Sequence, residues 1–225
     1  MANKNQETSN AIDELNDNLS SMEQKVQKNQ SLIAWLCIAA AAVVCVVLIY
    51  IYAIHKPGVE AANNAVGQAD MTLAAGNDSL ALEQYKQVAA DYGHAGGNRA
   101  NLNAAILLYK QQKWEEALKY LDDYKTSETL IGASATALKG DCYVNLQQYD
   151  EALKCFKKAV SISDDNPAYT PYFLLKEANV YRELKNYKEE ADVYRQIVEK
   201  YPTYGPSINV DMQKYLDRAE AQAGE

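Results

Sequence analysis

Histidine is nearly missing from this chain, with 2 in 225 residues. His55 ends an apolar run and His94 sits in a Gly-rich stretch, and no second ligand stands at helical or turn spacing from either. A metal centre is therefore not expected. Phenylalanine is as scarce, 2 against 17 Tyr, which favours half-buried positions where a ring packs while its hydroxyl reaches water or a neighbour. Basic residues are in deficit, 22 Lys+Arg against 30 Asp+Glu for a net charge of −8, and they form no patch. Nucleic-acid binding is not expected from such a chain. The run Gly93-His-Ala-Gly-Gly97 has no Lys-Ser/Thr after it and no strand before it, so it is not a phosphate loop. No Ser or Cys nucleophile stands beside a partnered base. The acid pairs Glu115-Glu116, Asp122-Asp123 and Glu189-Glu190 fit solvated helix faces with Lys three or four residues away. No catalytic, metal or cofactor residue is assigned, and the chain reads as non-enzymatic.

Charge is also absent from one long run. Leu32 to Ile54 is 23 residues without an ionisable carboxylate, Lys or Arg. As a helix it spans roughly 35 Å, enough to cross a hydrocarbon core. Trp35 near one end and Tyr50 and Tyr52 near the other match interfacial rings. The run is too long, and the segment before it too extended, for a cleaved signal peptide. Val44 before Cys45 and Leu36 before Cys37 leave no small residue for a lipoprotein site. A retained transmembrane helix over 31–54 is expected. Lys4, Lys25 and Lys28 precede it and only Lys56 follows closely, which favours a cytoplasmic N-terminus. The chain after residue 54 carries 19 Lys+Arg and 25 Asp+Glu, a net of −6, so anionic lipid repels it.

Ahead of the span, residues 1–30 form a polar arm with a hidden period. Ile12, Leu15, Leu19, Met22 and Val26 are spaced 3, 4, 3 and 4, an a/d stripe. It reads either as a short parallel coiled coil that dimerises the chain or as one amphipathic helix on lipid or a neighbour. Behind the span, 55–61 reads as a tether in which Pro57 breaks the helix.

The remainder, 62–225, is organised around a 34-residue unit from Ala133 to Asn166. Small Gly140, Ala152 and Ala159 alternate with large Tyr143, Tyr149 and Phe156, as in two short helices whose backbones approach closely. Related copies fall near 62–95, 98–131 and 171–204. Their packing positions are Ala81 and Tyr85, Ala117 and Leu121, and Tyr194. The slack between copies falls in 93–97 and in Asp164 to Pro171, both read as turns. In the fourth copy Glu190 stands where the small residue belongs; either Ala191 takes its place or that hairpin packs loosely. A closing helix over 208–221 is expected, with Asp211, Lys214, Asp217 and Arg218 forming its polar outer face. Cys142 and Cys155 lie at similar heights on the two helices of the third copy, as a disulfide if the domain is outside the cytoplasm or as two packed thiols.

This pattern resembles the tetratricopeptide repeat. The resemblance implies an all-α solenoid of about four helix-turn-helix repeats whose first helices line a groove for protein segments. Carried onto this chain, the groove positions are Val66, Asp70 and Leu73 in the first copy and Arg99, Leu102, Ile106, Tyr109 and Lys110 in the second. The third copy gives Ala137, Asp141, Val144 and Asn145, and the fourth Tyr172, Leu175, Asn179 and Arg182. Leu102, Ile106 and Ala137 stand where a carboxylate-gripping subset has Lys and Asn, so that clamp is absent. The groove is either open to a partner or filled by the chain's own closing helix.

The layout of arm, span and repeats is similar to the single-span tetratricopeptide ancillary subunit of the bacterial Sec translocon. It implies an inner-membrane protein with a periplasmic repeat domain and a chaperone- or adaptor-like role for exported chains. The alternative is a structural envelope scaffold that oligomerises through its arm and binds a folded partner. An inverted topology, with the repeats in the cytosol, runs against the Lys25 and Lys28 bias.

Overall fold

The computed structural model describes residues 27–224 apart from 94, 126 and 127. The stripe from Ile12 to Val26 lies outside the described residues. Every described element is helical, in two compact units that divide between Pro57 and Gly58.

In the first unit, α1 (Gln30–Ile49) has no buried residue and is followed by a π-helical stretch, Tyr50–His55. The helix through this region is long and apolar enough to cross a membrane. The expected tether at 55–61 is instead helical: α2 runs Lys56–Ala74. Pro57 lies inside a helix that runs unbroken from Gln30 to Ala74, directly after the π-helical stretch, an irregular turn of the kind that accommodates a residue without an N–H.

Eight helices build the repeats of the second unit. They pair as α2 with α3 (Asp78–Asp91), α4 (Ala95–Lys110) with α5 (Trp114–Asp123), α6 (Thr129–Asn145) with α7 (Tyr149–Ile162), and α8 (Thr170–Glu183) with α9 (Tyr187–Lys200). Each hairpin turns in the same way. A residue in the left-handed region, Gly76, Gln112, Gln147 or Lys185, follows the first helix. The next residue but one back along the turn is tied in a repeated pattern: Gln147 N–H donates to Val144 and Gln148 N–H to Tyr143, and the other three turns repeat both bonds. This double bond satisfies the last carbonyls of the first helix and aims the chain back along it.

Small residues then set the packing. Ala81, Ala117 and Ala152 are fully buried, as are the large Tyr85, Phe156 and Tyr194, while Leu121 and Ala159 complete the core. A Cβ on Gly140 would lie 2.6 Å from the Phe156 ring, so the glycine makes room for a ring rather than for a backbone. Tyr143 is only half-buried. The Gly96-Gly97 pair is not turn: both glycines are buried in the first turn of α4, and a Cβ on Gly96 would lie 2.7 Å from Ala62. Glycine serves close approach as readily as it serves turns, and here approach decides. Cys142 is buried and Cys155 half-buried, and both are free thiols.

The fourth repeat keeps both candidates inside. Ala191 and Glu190 are each fully buried. The closing segment is shorter than expected at its start: α10 (Tyr204–Ser207) precedes α11 (Met212–Ala223). Asn209 adopts a positive φ and the Asp211 side chain accepts from Gln213 N–H, so the helix restarts at Met212. Asp211, Lys214 and Asp217 face water. Arg218 is partly exposed but turns its guanidinium in to Glu190 at 2.8 Å. Met212, Leu216 and Ala219 cover Tyr194 and Ile197, which closes the apolar end of the stack.

Candidate functional site: the face of the first helices

The first helices α2, α4, α6 and α8 carry all sixteen candidate groove residues, and burial divides them. Val66 and Ala137 are buried in core clusters and cannot meet a partner. Ile106 and Tyr172 are exposed, as are Lys110 and Asn145; Leu73, Leu102, Tyr109, Val144, Leu175, Asn179 and Arg182 are half-buried.

Asp70, Arg99 and Asp141 do something the sequence did not suggest. They clasp neighbouring units. Asp70 accepts from Arg99, from the Tyr85 hydroxyl at 2.6 Å and from Asn103 at 3.3 Å, joining α2, α3 and α4. Asp141 of α6 accepts from the Lys176 ammonium of α8 at 2.8 and 2.9 Å. That ammonium also lies 4.9 Å from the Tyr172 ring centroid. Burial pushes the Asp141 carboxyl above its ordinary value, although the Lys176 charge and hydrogen bond pull it back. Burial lifts the Tyr109 hydroxyl too, with the Asp141 charge adding to it. Lys176 and Asn103 had no signal in the spacing, since their partners lie 35 and 33 residues away.

Between the two clasps lies a cleft of about 350 Å³ lined by Leu102 and Ile106 of α4, by Leu130, Ile131, Ser134, Ala135 and Leu138 of α6, and by Tyr169. Leu102 and Ile106 were expected on this face; Leu130, Ile131 and Tyr169 were not. Their signal was an apolar pair at the start of a first helix, ahead of the unit's counted positions. No charged residue lines the cleft. Beyond the second clasp a further hollow is lined by Asp141, Val144, Tyr149, Lys176, Asn179 and Arg182 among others. Among the described residues, no group of three or more His, Cys, Asp or Glu could hold a metal ion.

The comparisons agree with this architecture. Models of the tetratricopeptide repeat match residues 66–129, 133–166 and 172–204, together more than half of the chain. No curated protein matches by sequence. Among solved structures, a MamA protein is similar at a TM-score of 0.58 and 15% identity, over 73% of this chain and 84% of that one. A Podosopora anserina putative kinesin light chain with nearly identical TPR-like repeats is similar at 0.54 and 16%, over 72% and 85%. Pseudomonas aeruginosa pilF is similar at 0.51 and 16%, over 72% and 74%. At these identities the structures speak for the fold. The chain is a tetratricopeptide repeat protein, with one apolar helix ahead of its repeats.

Proposed function

We propose that this chain is a non-enzymatic, membrane-anchored module that binds other proteins through the face of its first helices. In this reading α1 is a single span of the inner membrane, the N-terminal arm is cytoplasmic and the repeats lie on the periplasmic side. The partners are exported or envelope proteins, held in a chaperone- or adaptor-like manner near the translocation machinery. The observation that carries the binding function is the uncharged cleft, where Ile106, Leu130, Ile131 and Tyr169 are 36–43% exposed. Contiguous apolar surface of this kind on a repeat protein marks an interaction site. The fully exposed apolar course of α1 supports the anchor, because a helix with no buried residue has no protein core to belong to.

Two experiments test the reading. Single cysteines at positions 77 and 5, in a chain lacking the native cysteines, are treated in intact cells with a membrane-impermeant maleimide. Labelling at 77 alone is expected; labelling at 5 alone would reverse the topology. Co-purification from membranes is then compared for Leu102→Asp with Ile106→Asp and for a chain lacking residues 1–26. Loss of partners in the first variant alone is expected. Loss in the second alone would favour a scaffold that works through its arm.

A further inference from the structure

The ninth residues of the four units are Asp70, Ile106, Asp141 and Asn179. At the first junction, Asp70 meets the second and sixth residues of the next unit, Arg99 and Asn103. At the third junction, Asp141 meets the sixth residue of its neighbour, Lys176. The middle junction has the same register with different chemistry. There Ile106 shares a cleft with Ser134 and Leu138, the second and sixth residues of the third unit. Along this register the outer junctions close on an ion pair and the middle one is uncharged and open; the ion pair that joins the second and third units, Lys139 of α6 with Asp122 of α5, does not line the cleft.

The surroundings say what kind of group would enter. The cleft has room for one or two large apolar side chains. Lys110 lies one turn beyond Ile106 on the same face of α4, is exposed, and has no ion-pair partner among the described residues. An exposed cation beside an uncharged cleft is locally complementary to a carboxylate.

We propose that the cleft between the second and third units is the anchor site of the binding face. It takes one large apolar side chain (Leu, Ile, Phe or Met) of an extended polypeptide segment that also carries a carboxylate, placed to meet Lys110. The two clasps close the first and third junctions, and the cleft is the middle one, where a guest side chain replaces the missing contact. The proposal rests on the reading of this face as the binding surface and adds the class of segment it selects.

The test uses the full chain in detergent micelles and three fluorescent nonapeptides, read by anisotropy. One has a central Phe flanked by Glu, one a central Ser flanked by Glu, and one a central Phe flanked by Lys. The first should bind at least about tenfold more tightly than either of the others. Ile131→Asp and Ile106→Ser should each weaken it by about tenfold or more, and Lys110→Glu should turn the preference toward the Lys-flanked peptide. Ile106 and Ile131 are exposed, so both variants should keep the helical signal of the parent. Tyr172→Ser and Asn179→Ala, beyond the second clasp, should change binding by less than about threefold. Binding lost in those two variants but kept in Ile131→Asp would overturn the anchor and leave the face intact as a binding surface. If no peptide binds and partners are still retained by Leu102→Asp with Ile106→Asp, the reading of the face fails as well. A dimer in sedimentation that Ile131→Asp dissociates would make the cleft a contact between two copies, which also overturns the proposal.

Discussion

Removing Arg218 should harm this fold far more than removing the residue it pairs with. Glu190 is fully buried, and one carboxylate oxygen accepts from Arg218 at 2.8 Å. Its other oxygen, the Tyr194 hydroxyl and Arg218 Nε are buried without a hydrogen-bond partner. In Arg218→Ala the carboxylate stays inside with no counter-charge, and stranding one member of a buried pair costs about 3–5 kcal/mol. In Glu190→Ala the stranded group is Arg218, whose side chain is 39% exposed and can turn to water. That variant also restores the small residue that Ala81, Ala117 and Ala152 supply in the other units. Its cost should stay within about 1 kcal/mol, the cavity partly offset by relief of an unsatisfied carboxylate. The double variant should resemble Glu190→Ala. For a domain of this size 1 kcal/mol moves Tm by about 2–4 °C, so Arg218→Ala should lower it by about 6–20 °C. Thermal unfolding of the full chain in micelles, followed by far-ultraviolet circular dichroism, reads the midpoint. Hydrogen exchange in α11 should locate the loss. Equal losses in the two single variants, or a larger one in Glu190→Ala, would refute the argument from burial.

Three further outcomes are expected. Gly140→Ala should destabilise by about 1–3 kcal/mol, because its Cβ would meet the buried Phe156 ring at 2.6 Å and helix propensity returns only about 1 kcal/mol; in a double-mutant cycle Phe156→Leu should recover part of the loss. Glu177 is 6% exposed with Lys157 3.9 Å away, and burial raises its carboxyl above the ordinary value more than that lysine lowers it. A raised carboxyl favours the folded state while protonated and loses that advantage as pH rises, so Glu177→Gln should stabilise at neutral pH by on the order of 1 kcal/mol, with the gain vanishing in denaturation series as pH falls through the carboxyl's titration. The Cys142 thiol is fully buried and pushed up to about 12 by burial, so maleimide at pH near 8 should leave it unmodified until the domain unfolds, as mass spectrometry of quenched samples would show.

How far the chain could be read from its letters differs from element to element. The second helices begin at Trp114, Tyr149 and Tyr187, where aromatic and acidic residues had marked them, because that spacing is imposed by packing within a single hairpin. The turns were less legible, since Gln112, Gln147 and Lys185 adopt the left-handed conformation that only Gly76 announces by its type. Pro57 follows a π-helical stretch inside an unbroken helix and Gly96 serves a close approach to Ala62, so residue types that often mark breaks do not mark them here. On the face of the first helices, Leu102 and Ile106 followed from the repeat register alone. The roles of Asp70 and Asp141 did not, because a clasp depends on a partner one whole unit away. Val66 and Ala137 share the register of Leu102 and Leu175, the fifth residue of a unit, yet pack into the core, a difference that register alone does not carry. Glu190 departed visibly from the repeat, and its reason lay in Arg218, 28 residues further on.

The claim at the centre of this account is that the first-helix face, and no other, meets other proteins. A photoreactive benzophenone amino acid placed in turn at Ile106, Ile131, Lys154 and Lys188, all exposed, tests it in intact cells. The account predicts discrete protein adducts from positions 106 and 131, suppressed by Lys110→Glu, and none from 154 or 188 on the second helices. Adducts from 154 or 188 with none from 106 or 131 would contradict it.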